Sequence, residues 1–248
     1  MPFLKTLAVG LLGLILPVIA FAKPSFSPWE VDLGLGFILN SPGKTSNTIG
    51  ITSFETDQLV QTKAPTWLSY YVGGRATIFS TPASNWLSSL TLGLSNYYTT
   101  LQTKGSVYQF EDVSLNEYSY KLNSSMDDLL VEIQMKLRPY YRVTPFVVFG
   151  TGPGFGAMSY NETPNTGITA GQNLLGTHQQ TLWAFDLGVG GTYAITEKLG
   201  FTLQYLYIVH TSQLQTNMCG NNGNCLLQPL QTEMNLSNLF ISLRYQLG

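Results

Sequence analysis

From Trp29 onward the apolar residues recur at every second position rather than every third or fourth, which commits the chain to strands with two unlike faces. The fourth of eight such runs is the plainest. There Leu129, Val131, Ile133, Met135 and Leu137 alternate with Asp128, Leu130, Glu132, Gln134, Lys136 and Arg138. The first run sets Trp29, Val31, Leu33, Leu35, Phe37 and Leu39 against Glu30, Asp32, Gly34 and Gly36. The last sets Leu239, Ile241, Leu243, Tyr245 and Leu247 against Asn238, Ser242, Arg244 and Gln246. Other runs begin near Leu68, Leu90, Pro145, Trp183 and Leu199. Each reaches the roughly 9 to 11 residues that a tilted membrane strand requires.

The connections alternate in length. Long ones run about 40–66, 100–127, 159–180 and 210–234, and short ones lie near 81–85, 139–144 and 194–198. Four long and three short links demand eight strands with both chain ends on the short-turn side, the layout of a bacterial outer-membrane barrel. A soluble barrel would also alternate, but its large apolar residues would fill the core. Here the polar parity carries Arg75, Glu132, Lys136, Arg138, Asp186 and Arg244, while the apolar parity carries no charge within these spans. Lipid outside and a polar interior explain both facts.

Composition agrees: charged residues are 10% of the chain, against roughly 25% in soluble domains. The formal net charge is −2, and −3 once Lys5 is removed with a leader, so there is no basic field for nucleic acid. A leader is indicated by Lys5, the apolar run Leu7 to Ile19 and the small residues Ala20 and Ala22 around Phe21. Residues 1–22 therefore read as a signal peptide cleaved after Ala22, and residues 23–248 as one barrel domain. The run is short for a membrane helix and Pro17 interrupts it. No later stretch approaches 18 uninterrupted apolar residues.

These runs, the Thr144-Pro145-Phe146-Val147 start of a glycine-rich fifth strand and the closing Leu243-Arg244-Tyr245-Gln246-Leu247 resemble the OmpA-like transmembrane barrel and opacity-protein superfamily over the whole mature chain. The resemblance implies an all-β, eight-stranded, antiparallel up-and-down barrel in the outer membrane. It implies outer-membrane lipid and the barrel-assembly machinery, which reads the C-terminal strand, as partners. Family members commonly end in an aromatic residue; this chain ends Tyr245-Gln246-Leu247-Gly248 and keeps Tyr245 and Leu247 as the outward pair.

The interior of eight strands is only wide enough to be filled by side chains. Arg75, Glu132, Lys136, Arg138, Asp186 and Arg244 are accordingly expected to form an internal charge network, with a gated ion path the less favoured reading. Gly152-Pro153-Gly154-Phe155-Gly156-Ala157 has the form of a dinucleotide fingerprint, but Asn161, Pro164 and Gly167 follow where a helix is needed. Those glycines are read as small inward positions, and no cofactor is expected. His178 and His210, placed on external loops or strand tops, lack metal-ligand spacing. His210 with Thr211 and Ser212, or Asp127-Asp128 across the mouth, is the only candidate rim catalysis, and solvated loop residues are the preferred reading. Neither a catalytic residue nor a metal ligand is assigned.

Cys219 and Cys225, in the last long link of an exported chain, are expected to form a disulfide. A rigid knob for a partner and simple loop protection both fit it. Trp29, Trp67, Tyr70, Trp86, Tyr97, Tyr98, Tyr140, Tyr141 and Trp183 are expected to form interfacial girdles. The sequence thus points to a porin-like surface antigen with a structural or adhesive role through four external loops, in contact with a host or other surface. A narrow channel for small hydrophobic molecules, as in OmpW-like barrels, is the alternative, and a rim-located enzyme ranks third.

Overall fold

A computed structural model describes residues 29–39, 48–50, 56–62, 65–81, 85–167, 174–220, 225 and 229–247. The expected leader, with Ala20 and Ala22, lies outside the described residues. Eight strands form the wall: β1 (Trp29–Ile38), β2 (Thr66–Ser80), β3 (Leu87–Tyr108), β4 (Tyr118–Leu137), β5 (Val143–Pro164), β6 (Leu174–Ala194), β7 (Leu199–His210) and β8 (Leu236–Leu247). Each pairs antiparallel with the next, and β8 pairs with β1, so the sheet closes and has no free edge at this level. This is the eight-stranded up-and-down barrel that the resemblance implies.

Cross-strand partners can be followed round the ring from Lys136 through Phe146, Gly190, Gln204, Phe240, Gly36, Ser69 and Thr99. The path returns to β4 at Met126 rather than Lys136. That stagger requires strands tilted by roughly 40° to the barrel axis. Side chains on alternate positions then face lipid or lumen. Trp29, Val31, Leu33, Leu35 and Phe37 are exposed on the outside, while Glu30 and Asp32 are buried inside.

The strands differ in height. β1, β7 and β8 have 10, 12 and 12 residues, whereas β3 to β6 have 22, 20, 22 and 21. Much of what reads as loop at 100–127 and 159–180 is therefore strand, and the physical reason lies in β4. From Leu129 to Leu137 the apolar residues face outward, but from Tyr118 to Met126 it is Tyr118, Tyr120, Leu122 and Met126 that are buried inside. The apolar set changes parity where the wall leaves the hydrocarbon, because outside the membrane water faces the exterior and the interior becomes the dry side. Stretches whose outward positions turn polar look like loop when only membrane-type alternation is sought.

Two external links complete this outer storey. Thr56–Gln61 pairs with the outer end of β3 and carries Thr48–Gly50 on its other edge. Cys219–Gly220 pairs with the outer end of β6, and Leu214–Thr216 forms a ladder with Leu230–Thr232. The enclosed core includes Ile49, Leu59, Tyr160, Leu214, Met218 and Met234. Tyr97 belongs inside as well: it stacks on Tyr71, with centroids 5.2 Å apart, and Phe240 meets both rings. Its place in a lipid girdle is thereby corrected, since its odd-numbered position in β3 shares the parity of Thr91 and Ser95. Trp29, Trp86, Tyr140 and Tyr141 are exposed near the short-turn end, and Trp67, Tyr70 and Trp183 near the other.

Candidate functional site

The lumen of the membrane storey is filled by one connected set of charges. Asp32 on β1 accepts both Nε and Nη2 of Arg244 from β8, at 2.7 and 3.2 Å, a two-bond fork that suits a planar guanidinium. Arg75 Nη2 from β2 lies 3.2 Å from Asp32 Oδ2 and 3.4 Å from Glu132 Oε2. Glu132 on β4 also accepts Ser95 Oγ at 2.6 Å and the Tyr97 hydroxyl at 2.5 Å. Arg244 Nη1 donates to Gln134 Oε1 at 3.3 Å and lies 3.7 Å from Glu30 Oε2, while Lys136 Nζ bonds Glu30 Oε1. The Arg244 guanidinium also stands over the Phe146 ring, 5.4 Å from its centroid. Burying these ions is costly, and each cation is offset by at least one carboxylate.

Arg75, Glu132, Lys136 and Arg244 are thus brought together. Asp186 is buried beside them: a Cβ at Gly150 would collide with Asp186 Oδ1 and crowd Glu132 Cγ, so this glycine leaves room for both carboxylates. Arg138 does not join. It follows the last residue of β4 and is exposed, because the alternation that points it inward ends where the strand does. Glu30 and Asp32 complete the network from β1, and their parity in the first run was the available signal. Tyr71 and Tyr97 gave none, since Tyr occurs on both faces of this wall.

Where the charges meet the apolar outer storey, His210 Nε2 lies 2.9 Å from Asp128 Oδ1, with both side chains almost wholly buried. His210 ends β7 and turns inward rather than lying on a solvated rim. Its backbone N–H donates to Asn235 Oδ1, at the far end of the last external link. Gly154 makes room for Asp128, and Gly156 for Leu214 of that link. Thr211 and Ser212 are exposed, Thr211 Oγ1 accepts the backbone N–H of Trp183, and the described hydrogen bonds join neither to His210. Asp127 accepts from Asn96, and His178 is exposed on β6. Among the described residues no group of three His, Cys, Asp or Glu side chains could hold a metal ion. Cys219 and Cys225 are disulfide-bonded, and Cys219 sits on the ladder to β6.

In the membrane storey the ring is apolar outside and holds buried charges inside, the reverse of a soluble barrel. The chain is a transmembrane β-barrel. No family model matches it, and no curated protein matches it in sequence. Among solved structures the barrel is similar to a major outer membrane protein from Thermus thermophilus, at 11% identity, 89% coverage of this chain, 99% of that chain and a TM-score of 0.49. For OprG from Pseudomonas aeruginosa the values are 12%, 91%, 98% and 0.47. For Ail, the attachment invasion locus protein of Yersinia pestis, they are 10%, 90%, 100% and 0.37.

Above the girdle the barrel holds a second acidic site. Glu162, near the outer end of β5, accepts the Tyr160 hydroxyl at 2.6 Å and the Leu174 N–H at 3.1 Å. Burial pushes its carboxyl up to about 7; both hydrogen bonds oppose that push and nearby Asp57 adds to it.

Proposed function

We propose that this barrel is a bacterial outer-membrane surface protein with a closed lumen, serving envelope integrity and contact with a host or other surface through its outer storey, without catalysis. The observation that carries this reading is the packing of the described interior, with paired charges in the membrane storey and an apolar core above. A wall that transports nothing leaves its presented surface as the working part. That surface has a built tip between β3 and β4, where Phe110 and Val113 are exposed. Phe110 N donates to Asp57 Oδ1, and Thr56 Oγ1 donates to Glu111 Oε1, tying the tip to the first external link. Positive φ at Phe110 and Glu111, 55° and 59°, is conformational strain retained to hold this shape.

Protein refolded into planar bilayers should show no open-pore conductance, and cells displaying it should adhere to host-cell layers less well after Phe110→Ser and Val113→Ser. A steady porin-sized conductance would overturn the closed lumen, and unchanged adhesion would overturn the role of the tip.

A narrow conduit for small hydrophobic molecules is the second reading. It draws support from Met126, Met158, Met218 and Met234 in the outer core, soft side chains that repack easily. On its β7 side, β6 also has no strand partner between Leu175 and Ala184 among the described pairings. Faster entry of a hydrophobic dye into vesicles holding the barrel than into empty vesicles would favour it.

A further inference from the structure

The described cations fall into three groups. Arg75, Lys136 and Arg244 are in the lumen, and Arg138, Arg142 and Lys198 lie at the short-turn end. The third group is Lys104 and Lys121, which are directly opposite each other on β3 and β4, both exposed on the outer face. Like charges facing across two strands destabilise the pair. Neither lysine makes an ion pair with a described residue, and the outward positions of β3 from Thr100 to Ser106, β4 from Ser119 to Ser125 and β5 from Ala157 to Thr163 carry no carboxylate.

The surroundings are polar and ordered. One step nearer the membrane, Gln102 Nε2 donates to Asn123 Oδ1 at 2.8 Å, and Asn123 Nδ2 donates to Ser159 Oγ at 3.3 Å. Asn161 stands beside Lys121 on β5 and is exposed. Lower still, Tyr98 packs on Tyr70 at 5.1 Å and marks the girdle. From Tyr98 to Lys104 the strand climbs roughly 15 Å, given its rise per residue and tilt. The pair therefore stands clear of the hydrocarbon and above the girdle, at a height that only a large saccharide headgroup reaches, and the long lysine stems can bend toward the membrane.

We propose that Lys104 and Lys121 form a clamp for a phosphate on the saccharide headgroup of an outer-leaflet glycolipid. A phosphate between the two ammonium groups replaces their repulsion with two charge-assisted hydrogen bonds. The amide and hydroxyl row beneath offers donors and acceptors to the sugar. The proposal rests on the outer-membrane reading above.

The test uses the full chain refolded into phosphatidylcholine vesicles, with the Lys104→Gln/Lys121→Gln double variant in parallel. Heat-modifiable migration in those plain vesicles scores insertion separately, so a chain that fails to insert is distinguished from one that inserts and ignores phosphate. Both substitutions are at exposed positions and relieve a repulsion, so the variant should fold. Binding is then measured with vesicles doped with lipopolysaccharide or with its dephosphorylated form. The wild type should bind the phosphorylated glycolipid at least fivefold more tightly than the dephosphorylated one, and the double variant should bind both equally weakly. Millimolar inorganic phosphate should not compete. Equal binding by wild type and variant would overturn the clamp. Competition by inorganic phosphate, or equally tight binding of a soluble sulfated polysaccharide, would overturn the glycolipid as its source.

Discussion

Asp32 joins two cations of the lumen at one carboxylate, because two guanidiniums converge on it from opposite neighbours of β1. Replacing it with Asn should leave Arg75 and Arg244 short of compensating charge and cost about 3 to 5 kcal/mol. Arg138→Gln, at an exposed position beyond β4, should change stability by less than about 0.5 kcal/mol. Urea titration of both variants in lipid vesicles reads the difference, and comparable losses would show that Arg138 shares the network after all. At this scale the sequence was informative about facing and silent about contact. Parity along the first run already turned Glu30 and Asp32 inward, but which carboxylate meets which guanidinium depends on stagger between strands, which alternation does not encode. Tyr97 shows the same limit: its ring suits a membrane interface, and only its position in β3 turns it toward Tyr71 and Phe240.

Along one strand, β4 contains both solvents' rules. Ile133 lies on its lipid side in the membrane storey, and Ser125 faces outward nearer the girdle. Ile133→Arg should destabilise the barrel by roughly 2 to 4 kcal/mol, while Ser125→Arg should cost less than about 1 kcal/mol, since the penalty for a charge falls toward the interface. Refolding under urea measures both, and equal penalties would mean that the boundary is misplaced. Eight strands and their order were legible because membrane-type alternation and link lengths repeat so regularly. The outer halves of β3 to β5 were not, because their apolar residues sit on the opposite parity and the change resembles the end of a strand, and that of β6 was not, because Thr177 to Thr181 is a polar run. The short ladders of the external links pair with distant segments and leave no periodicity of their own.

Across the molecule, Glu162 joins three parts of the outer storey: it lies on β5, holds the first backbone N–H of β6 and sits near Asp57 of the first external link. Its carboxyl rises from an ordinary 4.5 to about 7, so the folded outer storey binds this proton more tightly than the unfolded chain does. That contribution is complete below about pH 4.5 and is lost as pH rises through about 7. Exchange of the Leu174 amide should therefore be better protected at pH 5.5 than at pH 8, beyond the intrinsic pH effect on exchange. Glu162→Gln should flatten the difference. A pH difference unchanged by the substitution would place the proton elsewhere.

The change of apolar parity between Met126 and Leu129 also gives the protein a waterline. Sinking further would press Ser125 and Asn123 into hydrocarbon, and rising would lift Val131 and Leu129 into water, so the barrel has one draught. A bilayer of a different thickness has to stretch or thin around it rather than let it slide. The same mark constrains how the molecule arrives. Its outer half wears a polar skin that hydrocarbon rejects, so carrying that half through a bilayer costs more than seating the apolar wall below it.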